Sequence, residues 1–147
     1  MIYREENMDL FSVSDDYYLA HCISADFDMG RGIVVEFNRR FDMKRTLQSK
    51  YPNYLSQYTH KRIGGDCILE GKVFNLITKE RYCHKPTLIT MRLALEKMKQ
   101  ICLENNLKKI AMPTIGAGLD RLKWDDVAKS IHTIFDDTDV EILVCKR

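Results

Sequence analysis

The 147-residue sequence lacks a strong excess of either charge, with 23 lysines and arginines against 21 aspartates and glutamates and a net charge of +2. An obligate nucleic-acid binder carries a far more basic balance, so any anion this chain takes is expected to be a local ligand. It also lacks an apolar run near the roughly 20 residues that cross a bilayer, and no basic region followed by an apolar stretch opens it, so no membrane partner is expected. The five cysteines, Cys22, Cys67, Cys83, Cys102 and Cys145, include no C-x-x-C pair. They read as reduced thiols in a cytoplasmic setting, and neither a metal site nor a cofactor is expected. Low-complexity linkers and internal repeats are missing as well. Residues 1–147 therefore read as one domain, large enough to bury roughly two thirds of its unfolded surface around a single core.

What is there centres on Phe74-Asn75-Leu76-Ile77-Thr78-Lys79, an apolar run of strand length that ends on a lysine. A basic and aromatic turn, Glu80 to Lys85, then Pro86 and a long helical pattern follow, so a strand delivers Lys79 to a crevice. A lysine just past a strand is most often a solvated end-cap, and whether this one does chemistry depends on its neighbours.

Met1 to Arg4 offers a short strand, with Glu5 to Asp9 turn-like after it and Asp9 suited to bonding its own turn. Tyr17 to Ile23 reads as a buried strand ending at Ser24, with His21 a hydrogen-bonded core histidine. Asp26 to Gly32 is a loop whose Gly30 and Gly32 precede the helical pattern Ile33, Val34, Phe37, Phe41; such a place suits an anion. A second helix runs from Met43 to about Tyr51 and stops at Pro52. Tyr54 to Arg62 then reads as a solvated cover over the core, or, with Tyr51, Tyr54, Tyr58, His60, Lys61 and Arg62, as a surface for RNA. Asp66 to Gly71 and Lys72 to Thr78 read as two strands. Thr87 is a plausible helix cap, and Leu88, Met91, Leu95, Met98 and Cys102 mark a packing face that needs no ligand role. Lys109 to Met112 reads as a buried strand and Thr114 to Arg121 as a second glycine-rich loop. Trp124 to Phe135 reads as a helix and Val140 to Cys145 as the last strand. Strands and helices alternate from residue 65 onward, which argues an α/β class with helices on both faces of a mixed sheet.

Three loops thus follow strands: Ser24 to Gly32, Lys79 to Lys85, and Thr114 to Arg121. In open α/β sheets such loops converge on one crevice, and two glycine-bearing loops suit a diphosphate. A lysine and an aspartate beside it suit chemistry on what the diphosphate carries.

Four motifs in order carry a resemblance across nearly the whole chain. They are His21-Cys22-Ile23-Ser24 with Asp26 and Met29-Gly30-Arg31-Gly32-Ile33, then Leu76-Ile77-Thr78-Lys79, then His84-Lys85-Pro86-Thr87, then Pro113 to Leu122 with Gly118-Leu119-Asp120-Arg121 at its centre. The sequence resembles the macro domains of the terminal ADP-ribose protein glycohydrolase branch. That resemblance implies a three-layer α/β/α domain with a mixed central sheet that binds ADP-ribose. It implies Asp9 and Leu10 at the adenine, and Met29, Gly30, Gly32, Ile33, Thr114, Ile115, Gly116, Ala117, Gly118 and Leu119 around the diphosphate and distal ribose, with Ser24 at the ribose end. It implies a Lys79 nucleophile for the anomeric carbon and an Asp120 acid/base, and Arg81 or Lys85 are expected to help keep the Lys79 amine neutral. Cys22-Ile23-Ser24 stands where many macro domains carry a catalytic asparagine, which favours the lysine mechanism. Met8 replaces the glycine usual before the adenine aspartate, and Cys145-Lys146-Arg147 lacks an aromatic that relatives offer.

The implied activity is removal of mono-ADP-ribose from acidic side chains of proteins, or cleavage of O-acyl-ADP-ribose, by a monomer. The implied partners are ADP-ribose and ADP-ribosylated protein. Alternatives in the same pocket are an ADP-ribosylated DNA base, as in antitoxin-like relatives, ADP-ribose 1″-phosphate, or a non-catalytic reader.

Overall fold

The computed structural model describes Met1–Arg147. In chain order it contains β1 (Ile2–Asn7), a single 3-10 turn (Leu10–Ser12), β2 (Tyr18–Ser24), α1 (Val34–Phe41), α2 (Met43–Lys50), α3 (Tyr54–His60), β3 (Asp66–Glu70), β4 (Val73–Lys79), α4 (Leu88–Asn105), β5 (Lys109–Met112), α5 (Trp124–Phe135) and β6 (Glu141–Lys146). The strands form one sheet in the order β1-β6-β5-β2-β4-β3, where only β3, paired with β4, runs antiparallel. This is the mixed sheet covered on both faces that the alternating pattern predicts.

β4 shows why the chain takes this form. Its side chains alternate between two cores: Phe74 and Leu76 join Met91, Leu95, Met98, Ile131 and Phe135 beneath α4 and α5, while Val73 and Ile77 join Phe37, Leu47 and Tyr54 beneath α1 to α3. A strand buried on both faces has to be apolar almost throughout. Of its two buried polar residues, Asn75 and Thr78, the first is matched by His21 on β2, whose Nε2 lies 2.6 Å from Asn75 Oδ1. His21 also stacks on Phe37 at 3.8 Å between ring centroids, and burial pulls its pKa down to about 4 against the opposing Asn75 bond. It is the hydrogen-bonded core histidine expected from the sequence.

α4 starts where the sequence places it. Thr87 accepts from the Thr90 N–H at 3.1 Å and Thr90 Oγ1 accepts from the Thr87 N–H at 3.0 Å, a reciprocal cap that satisfies two otherwise orphan donors. Asn106, left-handed at φ 55°, ends it. Met91, Leu95, Met98 and Cys102 are buried, which confirms the methionine stripe as packing.

Two local readings are corrected. Residues 5–7 are not a turn: β1 continues to Asn7 because its backbone pairs with β6 as far as Lys146, and an exposed edge strand tolerates charged side chains. Tyr54 to Arg62 is not a solvated cover, since α3 turns Tyr54 and Tyr58 into the core at 7 % and 5 % exposure. Tyr54 stacks with Phe27 at 5.3 Å and donates to Asp66 Oδ2 at 2.5 Å. Those rings are closed to an RNA base, so that surface loses its aromatic platform.

Candidate functional site

β2, β4 and β5 run parallel, so their carboxyl ends share one edge of the sheet, and the loops that follow them enclose a cavity of about 590 Å³. β2 and β4 meet there irregularly. Ile23 pairs with Ile77, but Ser24 pairs with Lys79, so Thr78 is an extra residue in the ladder. Such a bulge re-aims the strand end, and here it delivers Lys79 to the cavity wall. The Ala25 N–H fastens the delivered backbone by donating to the Lys79 carbonyl at 2.9 Å.

Lys79 Nζ lies 2.7 Å from Asp120 Oδ1, and the two side chains are only 14 % and 16 % exposed. The group facing the amine is therefore a carboxylate. Lys85, expected as one of its cationic neighbours, donates instead to the Leu119 carbonyl at 2.8 Å. Cys22 also lines the cavity; burial pushes its thiol pKa well up, and the Asp120 charge adds to that while Lys79 opposes it. Burial thus keeps this thiol in its protonated, weakly nucleophilic form.

The two glycine-bearing loops supply donors. The N–H groups of Gly32, Ile33 and Val34 find no acceptor in the chain, and Ile33 caps α1 without a side-chain bond. Across the cavity the N–H groups of Gly116, Gly118 and Leu119 are free in the same way. Free N–H groups from a helix start and a facing loop form a cradle for a dianion. The loops approach closely, because a Cβ on Gly32, at φ 74°, would stand 3.2 Å from Leu119 Cδ1. Gly116, at φ 76°, is packed so tightly that a Cβ would fall 2.7 Å from Met91 Cε.

Of the residues that the resemblance implies at the ligand, Lys79, Asp120, Ser24, Gly30, Gly32, Ile33, Thr114, Ile115, Gly116, Gly118 and Leu119 line this cavity. Four predicted residues do not. Leu10 and Met29 are buried in the core at 4 % exposure each, because apolar side chains in these loops turn inward with Phe27. Ala117 spends its N–H on the Thr114 carbonyl, closing the turn. Asp9 accepts from the Phe11 N–H at 3.1 Å, the turn-capping role, and lies 3.7 Å from Arg147, which does line the cavity. The wall also takes Asp28, Arg31, Tyr82 and Cys83, to which the sequence reading assigns no role. Tyr82 and Cys83 were findable from their position in the turn after Lys79; Arg147 carries no local signal at all.

A backbone N–H cradle beside a shielded lysine and aspartate, at the carboxyl edge of an α/β/α sheet, defines a ligand-binding domain equipped for chemistry on an anionic ligand. The chain belongs to the macro domain family, whose model matches residues 21–131. It is similar to the human ADP-ribose glycohydrolase OARD1, 40 % identical over 139 residues that span 92 % of this chain and 86 % of the human protein. The macrodomain of Thermus aquaticus DarG has the same fold, with a TM-score of 0.74 at 20 % identity and 99 % of each chain covered. So does Thermosipho africanus DarTG, solved in complex with ADP-ribose, with a TM-score of 0.70 at 14 % identity, covering 99 % of this chain and 42 % of that one.

Proposed function

We propose that this chain is an ADP-ribose-binding hydrolase that removes mono-ADP-ribose from acidic side chains of proteins, with Lys79 as nucleophile and Asp120 as acid and base. The observation that carries the reading is the 2.7 Å contact between Lys79 Nζ and Asp120 Oδ1 inside the cavity, next to the free N–H groups of two loops. Similarity to an ADP-ribose glycohydrolase over 92 % of the chain supports the substrate class.

In this mechanism the loop N–H groups hold the diphosphate and so place the distal ribose against Lys79. Asp120 takes a proton from the Lys79 ammonium, and the freed amine pair attacks the anomeric carbon as the C–O bond to the protein carboxylate breaks. The carboxylate departs with the bonding electrons and needs no proton. Positive charge gathers on the ring in passing, where a neighbouring carboxylate stabilises it. Water then adds to the anomeric carbon as the amine leaves and takes the proton held by Asp120, while the proton lost by the water passes to solvent and balances the carboxylate released in the first step; this restores the pair and frees ADP-ribose. An O-acyl-ADP-ribose acylated at the anomeric oxygen presents the same bond, and the same site would deacylate it. A non-catalytic reader needs neither Lys79 nor Asp120, since the loop backbones suffice for binding.

The test is release of ADP-ribose from a protein mono-ADP-ribosylated on glutamate. The native chain turns over, Lys79→Ala and Asp120→Ala each lose about 100-fold or more of kcat, and at least one of them still binds ADP-ribose. Binding of ADP-ribose by the native chain with no release from protein contradicts the reading; ADP-ribosylated DNA and ADP-ribose 1″-phosphate would then be the substrates to try.

A further inference from the structure

Asp26 stands in the motif after Ser24 but is absent from the cavity wall, and nothing in the mechanism above uses it. Its carboxylate nevertheless gathers three donors from the two loops that flank Lys79. Oδ1 accepts from the Ser24 hydroxyl and from the Asp28 N–H, the latter at 3.0 Å, so it shapes the loop after β2. Oδ2 accepts from the Tyr82 N–H at 3.0 Å, three residues past Lys79 in the loop after β4.

We propose that Asp26 is a positioning residue for the hydrolysis: by clamping the Glu80–Thr87 loop onto the loop after β2, it sets the direction in which β4 hands Lys79 to Asp120. The inference rests on the hydrolase reading above. Lys79 is held on the near side by the Ala25 N–H on its carbonyl, and the Asp26–Tyr82 bond is the next tie made by the backbone, the Glu80 side chain between them accepting from the Thr59 hydroxyl. Between them lies only the turn of Glu80 and Arg81, so loss of the second tie lets the strand end pivot about the first. The remaining ties, Thr59 to Glu80, Lys85 to the Leu119 carbonyl and Lys79 to Asp120, all run through side chains, so no bond from the loop's own backbone to another loop then stands beyond Lys79. Ser24, which lines the cavity, has its hydroxyl turned toward Asp26 and is held in one orientation by it.

The carboxylate suits this duty. Burial works against its charge, but the donors Ser24, Asp28 and Tyr82, with the nearby Arg81 charge, outweigh burial and hold its pKa below the ordinary value. It stays an acceptor of three bonds throughout the working pH range, which a neutral amide with one oxygen cannot be. The free N–H groups of Gly32, Ile33 and Val34 and of Gly116, Gly118 and Leu119 make no bond to the Tyr82 loop, so a loosened clamp should spare ligand binding and strike the chemical step.

The experiment compares native protein with Asp26→Ala and Asp26→Asn by three readings. Turnover on glutamate-linked mono-ADP-ribosylated protein gives kcat, titration with ADP-ribose gives Kd, and amide hydrogen exchange reports the Tyr82 N–H. Asp26→Ala is expected to lower kcat about tenfold with Kd changed less than about threefold, and to speed exchange at Tyr82 about tenfold. Asp26→Asn, which keeps one acceptor oxygen, is expected to recover part of kcat. A kcat within twofold of native in Asp26→Ala overturns the proposal, and so does a parallel loss of kcat and Kd with general exchange across the sheet, which marks a role in folding alone. If the native chain releases nothing, the hydrolase reading fails by itself, and Tyr82 exchange in Asp26→Ala still decides whether the clamp exists.

Discussion

At the scale of single residues, burial decides which groups can react. His21 is locked neutral beneath the sheet, stacked on Phe37 and bonded to Asn75, with its folded pKa near 4. In the unfolded chain the same imidazole takes a proton below about 6.5. The unfolded state therefore binds more protons as pH falls, so the stability that neutral His21 supplies is complete above pH 6.5 and drains away between about 6.5 and 4. The drain amounts to about 3 kcal/mol at most. Denaturant titrations at pH 7 and pH 4.5 should show a smaller difference in His21→Gln than in the native chain; an equal difference would mean that carboxylates, not His21, govern acid sensitivity. Lys79 and Asp120 sit at a strand end and in a loop, 14 % and 16 % exposed, where the pair can reach a ligand.

At the scale of elements, the cradle depends on two backbone positions that side chains cannot share. Gly116 combines φ 76° with Met91 and Leu122 packed over it, so Gly116→Ala must strain the backbone and displace the core together. The expected cost is about 2–4 kcal/mol, read as a lower Tm, with weaker ADP-ribose binding from the distorted loop. An unchanged Tm would show that Met91 yields freely. The strands and the long helix were legible because their signals are local: β4 is apolar on both faces, α4 opens on Thr87 and repeats its apolar residues on one side. α3 was not, because the burial of Tyr54 depends on Phe27, which lies far off in sequence, and on Asp66, 12 residues on. The same holds for Asp9 and Leu10: the resemblance places them at a ligand, but which side of a short turn faces the cavity is set by how β1 pairs with β6.

At the scale of the whole molecule, the site exists because three parallel strands end on one edge and their loops are stitched across it. Asp26 joins the first loop to the second, Lys79 and Lys85 join the second to the third, and Leu119 touches Gly32 to close the ring. Each of the four contacts around this ring involves a residue that also lines the cavity, so binding and chemistry share the same framework. The three loops were visible in the sequence as glycine and lysine punctuation after apolar runs, whereas the stitches between them, Tyr82 above all, are products of the fold. The most direct test of the account is to treat the native chain with borohydride during a single turnover of glutamate-linked mono-ADP-ribosylated protein and map any adduct by mass spectrometry. The glycosylamine formed when the amine attacks the anomeric carbon equilibrates with its ring-opened imine, which borohydride reduces to a stable secondary amine, so one ADP-ribose-derived adduct is predicted, on Lys79, absent from Lys79→Ala. Release of ADP-ribose with no adduct on Lys79, or undiminished release by Lys79→Ala, would contradict it.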